Sequence, residues 1–301
     1  MTVSPGVLAI DLGKSSCRAV IASPERGDVR AGTGAPGLAA SDGVSLAVAA
    51  IRPVLADLEQ EFGVVGVGAA GAWAAPAAAS DLSSRLSAAL GVPAVVTSDV
   101  VAAHAGALDG RDGVLLIAGT GAAALGIDGD GARLIDGWGP ELGDFGSGSW
   151  LGREALRAVL RASSGLGPPT SLTGAITGPV GAVSDIPSWL ARSTPLPRSL
   201  ATLAPIVLDA AAEADFVAGE IATHAVRLLT ASAVAASTRT LDVVLHGGLT
   251  EHAWFREALA SSLDAAGRVV VPATGDALDG ALLLARRFDL PHERFVHRAA
   301  G

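Results

Sequence analysis

The 301-residue sequence contains no tyrosine and no asparagine, and its single cysteine is Cys17. One cysteine excludes an intrachain disulfide framework and any iron–sulfur or zinc site built on several thiolates of one chain. Lysine is almost as scarce. Lys14 is the only one, so every other fixed cation is an arginine. Charged residues make up 17% of the chain against 50% hydrophobic, a balance too apolar for intrinsic disorder. No apolar run approaches the ~20 residues of a membrane span. The opening MTVSPGVLAIDL lacks the basic flank and long apolar stretch of a secretory signal. A net charge of −9 argues against the basic face of a general nucleic-acid binder. The expectation is a cytoplasmic, soluble protein with neither a nucleic-acid nor a membrane partner.

What is present alternates between short apolar runs and helical stretches, which argues for an α/β architecture. Val7–Ile10 runs into Asp11 and the turn Leu12-Gly13-Lys14-Ser15-Ser16, and Cys17–Ala22 returns. The same arrangement recurs with Val114–Ile117, Ala118-Gly119-Thr120-Gly121 and Ala122–Ile127. Two related halves, each opening with a glycine hairpin, are the natural reading. Helices are expected over Val44–Phe62, over Ser80–Leu90 behind a Ser80 or Asp81 cap, and over Val100–Leu108 behind Ser98-Asp99. Strands are expected at Val64–Gly68 and Pro93–Thr97, and Asp128–Gly131 reads as a hairpin turn. Farther on, Trp150–Ala162 reads as helix and Gly165–Pro187 as a mobile segment. Helices then fill Arg198–Ala236, broken near Ala214. The strand Leu241–His246, the helix Ala253–Ala266, the strand Arg268–Val271 and the helix Asp276–Phe288 follow.

Several motif matches fail on context. Gly13-Lys14-Ser15 resembles the end of a P-loop, but Leu8 stands where that loop needs glycine, and a strand follows instead of a helix. Gly66-Val67-Gly68-Ala69-Ala70-Gly71 matches G-x-G-x-x-G, yet Pro76 interrupts the helix a dinucleotide site requires. Asp128–Gly131 lacks the later glutamate of a calcium loop. The six histidines, His104, His224, His246, His252, His292 and His297, show no metal-ligand spacing, and for His246 a structural role is favoured over contact with a ligand.

The two hairpins remain. Glycine lets backbone N–H groups approach a polyphosphate without Cβ interference. Asp11, closing the first strand, is placed to hold Mg²⁺ through water, and Lys14 and Thr120 would add donors for β- or γ-phosphate oxygens. Trp138 and Trp150 could wall a sugar by ring stacking, or simply pack in the core.

The segment order resembles the superfamily of sugar kinases, actin and large heat-shock chaperones. Its two phosphate hairpins and late adenosine motif would stand here as Asp11–Ser15, Ala118–Gly121 and His246-Gly247-Gly248-Leu249. Within it the chain is similar to the N-acetylglucosamine kinases and related BadF/BadG/BcrA/BcrD ATPases. The run Gly137-Trp138-Gly139-Pro140-Glu141-Leu142-Gly143-Asp144-Phe145-Gly146-Ser147-Gly148-Ser149-Trp150-Leu151-Gly152 looks like that group's GWG…GDEGS…WIG signature. Thr97–Ala103 resembles the segment bearing its catalytic aspartate.

That resemblance implies a two-lobed actin-like ATPase fold, each lobe a ribonuclease-H-like mixed sheet flanked by helices, with the nucleotide in the cleft. The lobes would be residues 1–109 plus 276–301, and 110–275. It implies ATP and Mg²⁺ as cofactors, with Asp11, Gly13, Lys14, Ser15, Gly119, Thr120, Gly121, Gly247 and Gly248 at the nucleotide. Asp99 would be the general base for a sugar hydroxyl, although Ser98-Asp99 is also a good helix cap. Gly71, Asp99, Thr120, Trp138, Gly139 and Asp144 would touch the sugar. The implied activity is phosphorylation of an amino sugar, N-acetylglucosamine at its 6-hydroxyl, in a homodimer. Glucosamine is one alternative, its ammonium pairing with Glu141 or Asp144. A non-catalytic sugar sensor or an ATPase activator of the same fold is another, but the activator's shared iron–sulfur cluster needs more than Cys17. Two departures bear on specificity, and a third is a mild change in the first hairpin. Ala122-Ala123-Ala124 follows the second hairpin where Ser and Asn are usual, Phe145 replaces an acid, and Ser15-Ser16 stands where Thr is common.

Overall fold

The computed structural model describes residues 5–56, 60–129 and 131–301. Four strands and two helices open the chain: β1 Gly6–Leu12, β2 Ser16–Ala22, β3 Arg30–Thr33, α1 Gly43–Leu55, β4 Phe62–Ala69 and α2 Pro76–Leu90. They are followed by β5 Ala94–Ser98, α3 Asp99–Ala107, β6 Gly113–Ala118, β7 Ala122–Asp128, β8 Gly131–Asp136 and α4 Gly148–Ser163. A helical run comes next, α5 Leu172–Ala175, α6 Thr177–Val180, α7 Ile186–Arg192, α8 Leu196–Ala201, α9 Ala204–Ala212 and α10 Phe216–Ala236. The last elements are β9 Asp242–His246, α11 Ala253–Ala265, β10 Val269–Val271, α12 Ala277–Arg286 and β11 His297–Ala299.

The chain forms two compact units, residues 1–112 with 272–301, and residues 113–271. The first holds a mixed six-stranded sheet ordered β11-β5-β4-β1-β2-β3. Alternation along β1 feeds both of its faces. Leu8 and Ile10 pack with Ala47, Ile51, Leu82 and Leu86 of α1 and α2, whereas Val7 and Ala9 pack with Leu278, Ala281 and Ala285 of α12. Each fully buried aliphatic side chain contributes about 1.5–3 kcal/mol by leaving water. The second unit holds a five-stranded sheet ordered β10-β9-β6-β7-β8. Val114, Leu116 and Ala124 of that sheet share a core with Leu151, Leu229 and Phe255.

Both units open with an antiparallel hairpin whose first strand pairs in parallel with a later one, β1 with β4 and β6 with β9. In the first, Asp11 lies directly opposite Arg18, and in the second Ala118 lies opposite Ala122.

Several local expectations change. α2 begins at Pro76 rather than Ser80, because proline at the first helical position gives up no hydrogen bond. The Ser80 hydroxyl instead donates to Pro76 O and meets His297 Nδ1 at 2.9 Å. α1 stops at Leu55 and Phe62 starts β4; the part of the expected helix over residues 57–59 lies outside the described residues. Asp128 pairs with Gly131, and Asp130 of that turn lies outside them too, as do residues 1–4 of the opening run.

The segment read as mobile, 165–187, is folded over much of its length. Leu172, Ile176 and Val180 recur every four residues, and they and Ile186 at the start of α7 are fully or nearly buried. Asp215, which caps α10 through Ala218 N, also accepts hydrogen bonds from Thr170 and Ser171 and fastens that segment. β3 and β11 were hidden in the sequence, since one is four mostly exposed residues and the other three half-buried ones.

Candidate active site

In the first unit, the Gly13 N–H donates to Ser16 O at 2.9 Å and closes the hairpin. The amides of Lys14 and Ser15 are left without a hydrogen-bond partner among the described residues, and both residues are exposed. Gly34 backs this turn so closely that a Cβ there would lie 2.3 Å from Gly13 O. Asp11 ends β1, and the Arg18 guanidinium grips its Oδ2 through Nε at 3.1 Å and Nη2 at 2.6 Å. Arg18 also reaches Asp276 at 3.3 Å, and Arg26 joins Asp276 and Asp279 to the same ionic group. Burial alone would raise the Asp276 carboxyl, but the hydrogen bonds from Arg26 and the Asp279 amide and the charge of Arg18 hold it below its usual value. Cys17, behind the hairpin, has its thiol pushed up to about 11 by burial and then by the Asp11 charge, so it is inert.

Asp99 is the first residue of α3, at the carboxyl end of β5. Its Oδ1 accepts from the Val100 amide at 2.9 Å and from the Ser98 hydroxyl at 3.1 Å. Desolvation raises its pKa and the Asp11 charge adds to this, outweighing those two bonds and the Lys14 charge. Asp11, Lys14 and Asp99 are therefore within electrostatic reach of one another. Gly68 lies beneath α3, where a Cβ would meet Ala102 Cβ at 2.7 Å. Gly71 has φ +80° and packs on Gly37 and Leu38, so the fold itself explains this glycine.

In the second unit, the Gly119 amide donates to Gly121 O at 3.0 Å, repeating the closure of the first hairpin. The amides of Thr120 and Gly121 have no partner among the described residues. Gly119 O and Thr120 O accept from Gly148 and Ser149, which ties the hairpin to the start of α4. Asp144 lies over this hairpin: its Oδ1 accepts from Ala122 N at 3.3 Å, and a Cβ on Gly121 would come 3.0 Å from its Oδ2. Asp144 has φ +55° and is held there by the buried Asp136, whose carboxylate accepts from Asp144 N at 2.7 Å and Phe145 N at 2.8 Å. Gly247, at φ +104°, sits against Ala118 O and Gly119 N, while Gly248 meets nothing within 4 Å. The structure thus brings Gly119, Thr120, Gly121, Asp144 and Gly247 together.

Trp138 is exposed beside Gly139, whereas Trp150 is half-buried. It packs against the core and meets the His224 ring edge-on at 5.3 Å. Arg18 and Asp136 escaped the sequence reading. Arg18 was signalled by a cation inside an apolar return strand, at the register opposite Asp11. Asp136 was signalled by an acid at a strand end just before Gly-Trp-Gly.

The BadF/BadG/BcrA/BcrD ATPase family profile matches residues 8–285. The chain belongs to this family. A 138-residue stretch is 32% identical to the N-acetylmuramic acid/N-acetylglucosamine kinase of Clostridium acetobutylicum, covering 45% of each protein. A 75-residue stretch is 45% identical to the N-acetyl-D-glucosamine kinase of Dictyostelium discoideum, covering 25% of this chain and 24% of that one. The matched stretches span less than half the length of these curated relatives. A crystal structure from Chromobacterium violaceum, described as a candidate N-acetylglucosamine kinase, superimposes with a TM-score of 0.76 over 94% of this chain and 100% of its own, at 26% identity. The fold is that of the actin-like ATPases and sugar kinases, α/β with a mixed sheet in each unit.

Proposed function

We propose that this family member is an ATP-dependent kinase of an amino sugar, with N-acetylglucosamine as acceptor at its 6-hydroxyl and glucosamine as the alternative. The observation that carries the reading is the contrast between two carboxylates of one unit. Two nitrogens of Arg18 hold one oxygen of Asp11, whereas Asp99 is desolvated and has hydrogen bonds but no ion pair among the described residues. Environments that separate two acids in this way commonly separate their roles. The names of the relatives favour the same acceptor class.

In this reading the sugar hydroxyl hydrogen-bonds to Asp99. Its proton passes to the carboxylate as the oxygen bonds to the γ-phosphorus, and the bond to the β-γ bridging oxygen breaks to release ADP. Phosphoryl transfer of this kind rests on positioning and charge neutralisation. The partnerless amides of Lys14, Ser15, Thr120 and Gly121, with the Lys14 ammonium, would hold phosphate oxygens, and Gly13, Gly119, Gly247 and Gly248 would keep that backbone open to the nucleotide. Asp144, Trp138 and Gly139, with Gly71 and Thr120, would position the sugar.

Asp11 suits Mg²⁺. Its Oδ1 has no protein partner among the described residues, and Mg²⁺ is ordinarily held by one or two carboxylates with waters and substrate phosphates. Among the described residues no group of three or more His, Cys, Asp or Glu could hold a metal alone. When bound, Mg²⁺ supplies charge neutralisation at the phosphates.

The test is ADP release from Mg-ATP across a sugar panel. Sugar-dependent release is expected, and Asp99→Asn should lower it by about a hundredfold or more while ATP binding persists. Release without sugar would assign an ATPase, and no release with any sugar would assign a sensor.

A further inference from the structure

β1, β4 and β5 run parallel and end at Leu12, Ala69 and Ser98, so the segments that follow them leave the sheet along one edge. Ligands of α/β sheets bind along such carboxyl edges. β11 runs antiparallel to β5 with His297 opposite Val96, which carries Arg294 and Phe295 to that same edge. The Thr97 hydroxyl fixes them there by donating to Phe295 O at 2.8 Å.

A pocket of about 290 Å³ lies between this segment and the turn after β4, with Trp73, Ser98, Arg294, Phe295 and His297 in its walls. Trp73 and Phe295 stack with centroids 5.1 Å apart and planes 23° from parallel. Among the described residues, no acidic side chain lines the pocket. Arg294 supplies its permanent charge: the guanidinium lies 5.1 Å from the Phe295 ring centre and makes no ion pair or hydrogen bond among the described residues. Glu293, the adjacent acid, is already taken by Arg298 through two contacts of 2.7 Å. Burial lowers the pKa of His297, whose Nδ1 meets Ser80, so at neutral pH it offers hydrogen bonding and no charge. Ser98 joins this pocket to the candidate base, because its hydroxyl donates to Asp99 Oδ1.

We propose that this pocket receives a carboxylate-bearing substituent of the acceptor sugar, with Arg294 as its ionic partner and the Trp73–Phe295 pair packing on the carbons that carry it. The inference rests on the acceptor role given above to Asp99. The volume is just below the ~300–1,000 Å³ of sites that take a whole drug-sized ligand, which suits one arm of a larger molecule. A guanidinium fork matches the two oxygens of a carboxylate. A single positive charge without further cationic donors suits that monoanion better than a phosphate dianion.

The experiment compares kcat/KM for three acceptors: N-acetylglucosamine, N-acetylmuramic acid with its lactyl carboxylate, and the methyl ester of that acid. In the wild-type protein the acid should be favoured over its ester. Arg294→Ala should lower the acid-to-ester ratio by about tenfold, as loss of one charge-assisted pair predicts, and Arg294→Glu should lower it further. Trp73→Ala should weaken both lactyl sugars relative to N-acetylglucosamine. Arg294 is exposed, so an unchanged melting temperature is expected and would rule out misfolding. An acid-to-ester ratio unmoved in both Arg294 variants overturns the pocket assignment, as does a wild-type protein that phosphorylates N-acetylglucosamine but not the acid. Failure of all three sugars to elicit ADP overturns the kinase reading itself, and this proposal with it.

Discussion

Asp99 and Asp11 are chemically identical side chains in one unit, and their neighbours make them different. An arginine across the hairpin engages Asp11, while Asp99 sits in a desolvated corner with a like charge within reach. A base must be ionised to act, so turnover is lost as pH falls through its pKa. Since that pKa is raised, the acid limb of the kcat/KM profile should lie above the ordinary 3.8 of an aspartate. A limb at or below 3.8 would remove Asp99 from the role. Both acids were visible in the sequence because Asp11 ends an apolar run before a glycine turn and Asp99 follows one at the start of a helix. Their partners were less so. Arg294 needs the β11 register to reach Ser98, and three half-buried residues carry no periodic signal.

At the scale of elements, the glycine-rich signature after β8 does more packing than its resemblance implies. Gly146, at φ +78°, faces Ala225 O, and Gly152 lies where α4 crosses α8. A Cβ on Gly152 would fall 2.0 Å from Leu200 O, a backbone atom that no rotamer change can move. Gly152→Ala should therefore cost about 1–3 kcal/mol or more, read as a lower denaturant midpoint. Gly178→Ala in α6 is the matched control, since nothing lies within 4 Å, and it should be neutral or slightly stabilising. The two hairpins were legible because glycine turns between apolar runs have few other readings. The helices of 165–187 were not, because Gly, Pro, Ser and Thr hide a buried face whose partners are distant in sequence. α2 was misplaced by a serine that looked like a cap but bonds within the helix and to β11 instead.

For the molecule as a whole, acid sensitivity has a specific source. His104 on α3 and His292 are both fully buried, with Nδ1 and Nε2 2.8 Å apart, and His292 Nδ1 has no partner among the described residues. Burial first, and the His104 ring second, push the His292 pKa down to about 3. The unfolded chain binds a proton near the ordinary 6.5, so it gains protons that the folded state refuses as pH drops. Stability should be full above about 6.5 and fall progressively from there toward about 3. Urea titrations at pH 7.5 and pH 5 should show the loss, and His292→Gln should flatten it.

The division into units has a consequence for biogenesis. Residues 113–271 form an uninterrupted stretch that can complete its own core as it leaves the ribosome. The other unit is split, and α12 and β11, which cover one face of β1 and pair with β5, are synthesised only after that entire stretch. Val7, Ala9, Val20 and Ala22 must wait bare until that stretch has been made, a natural foothold for holding chaperones.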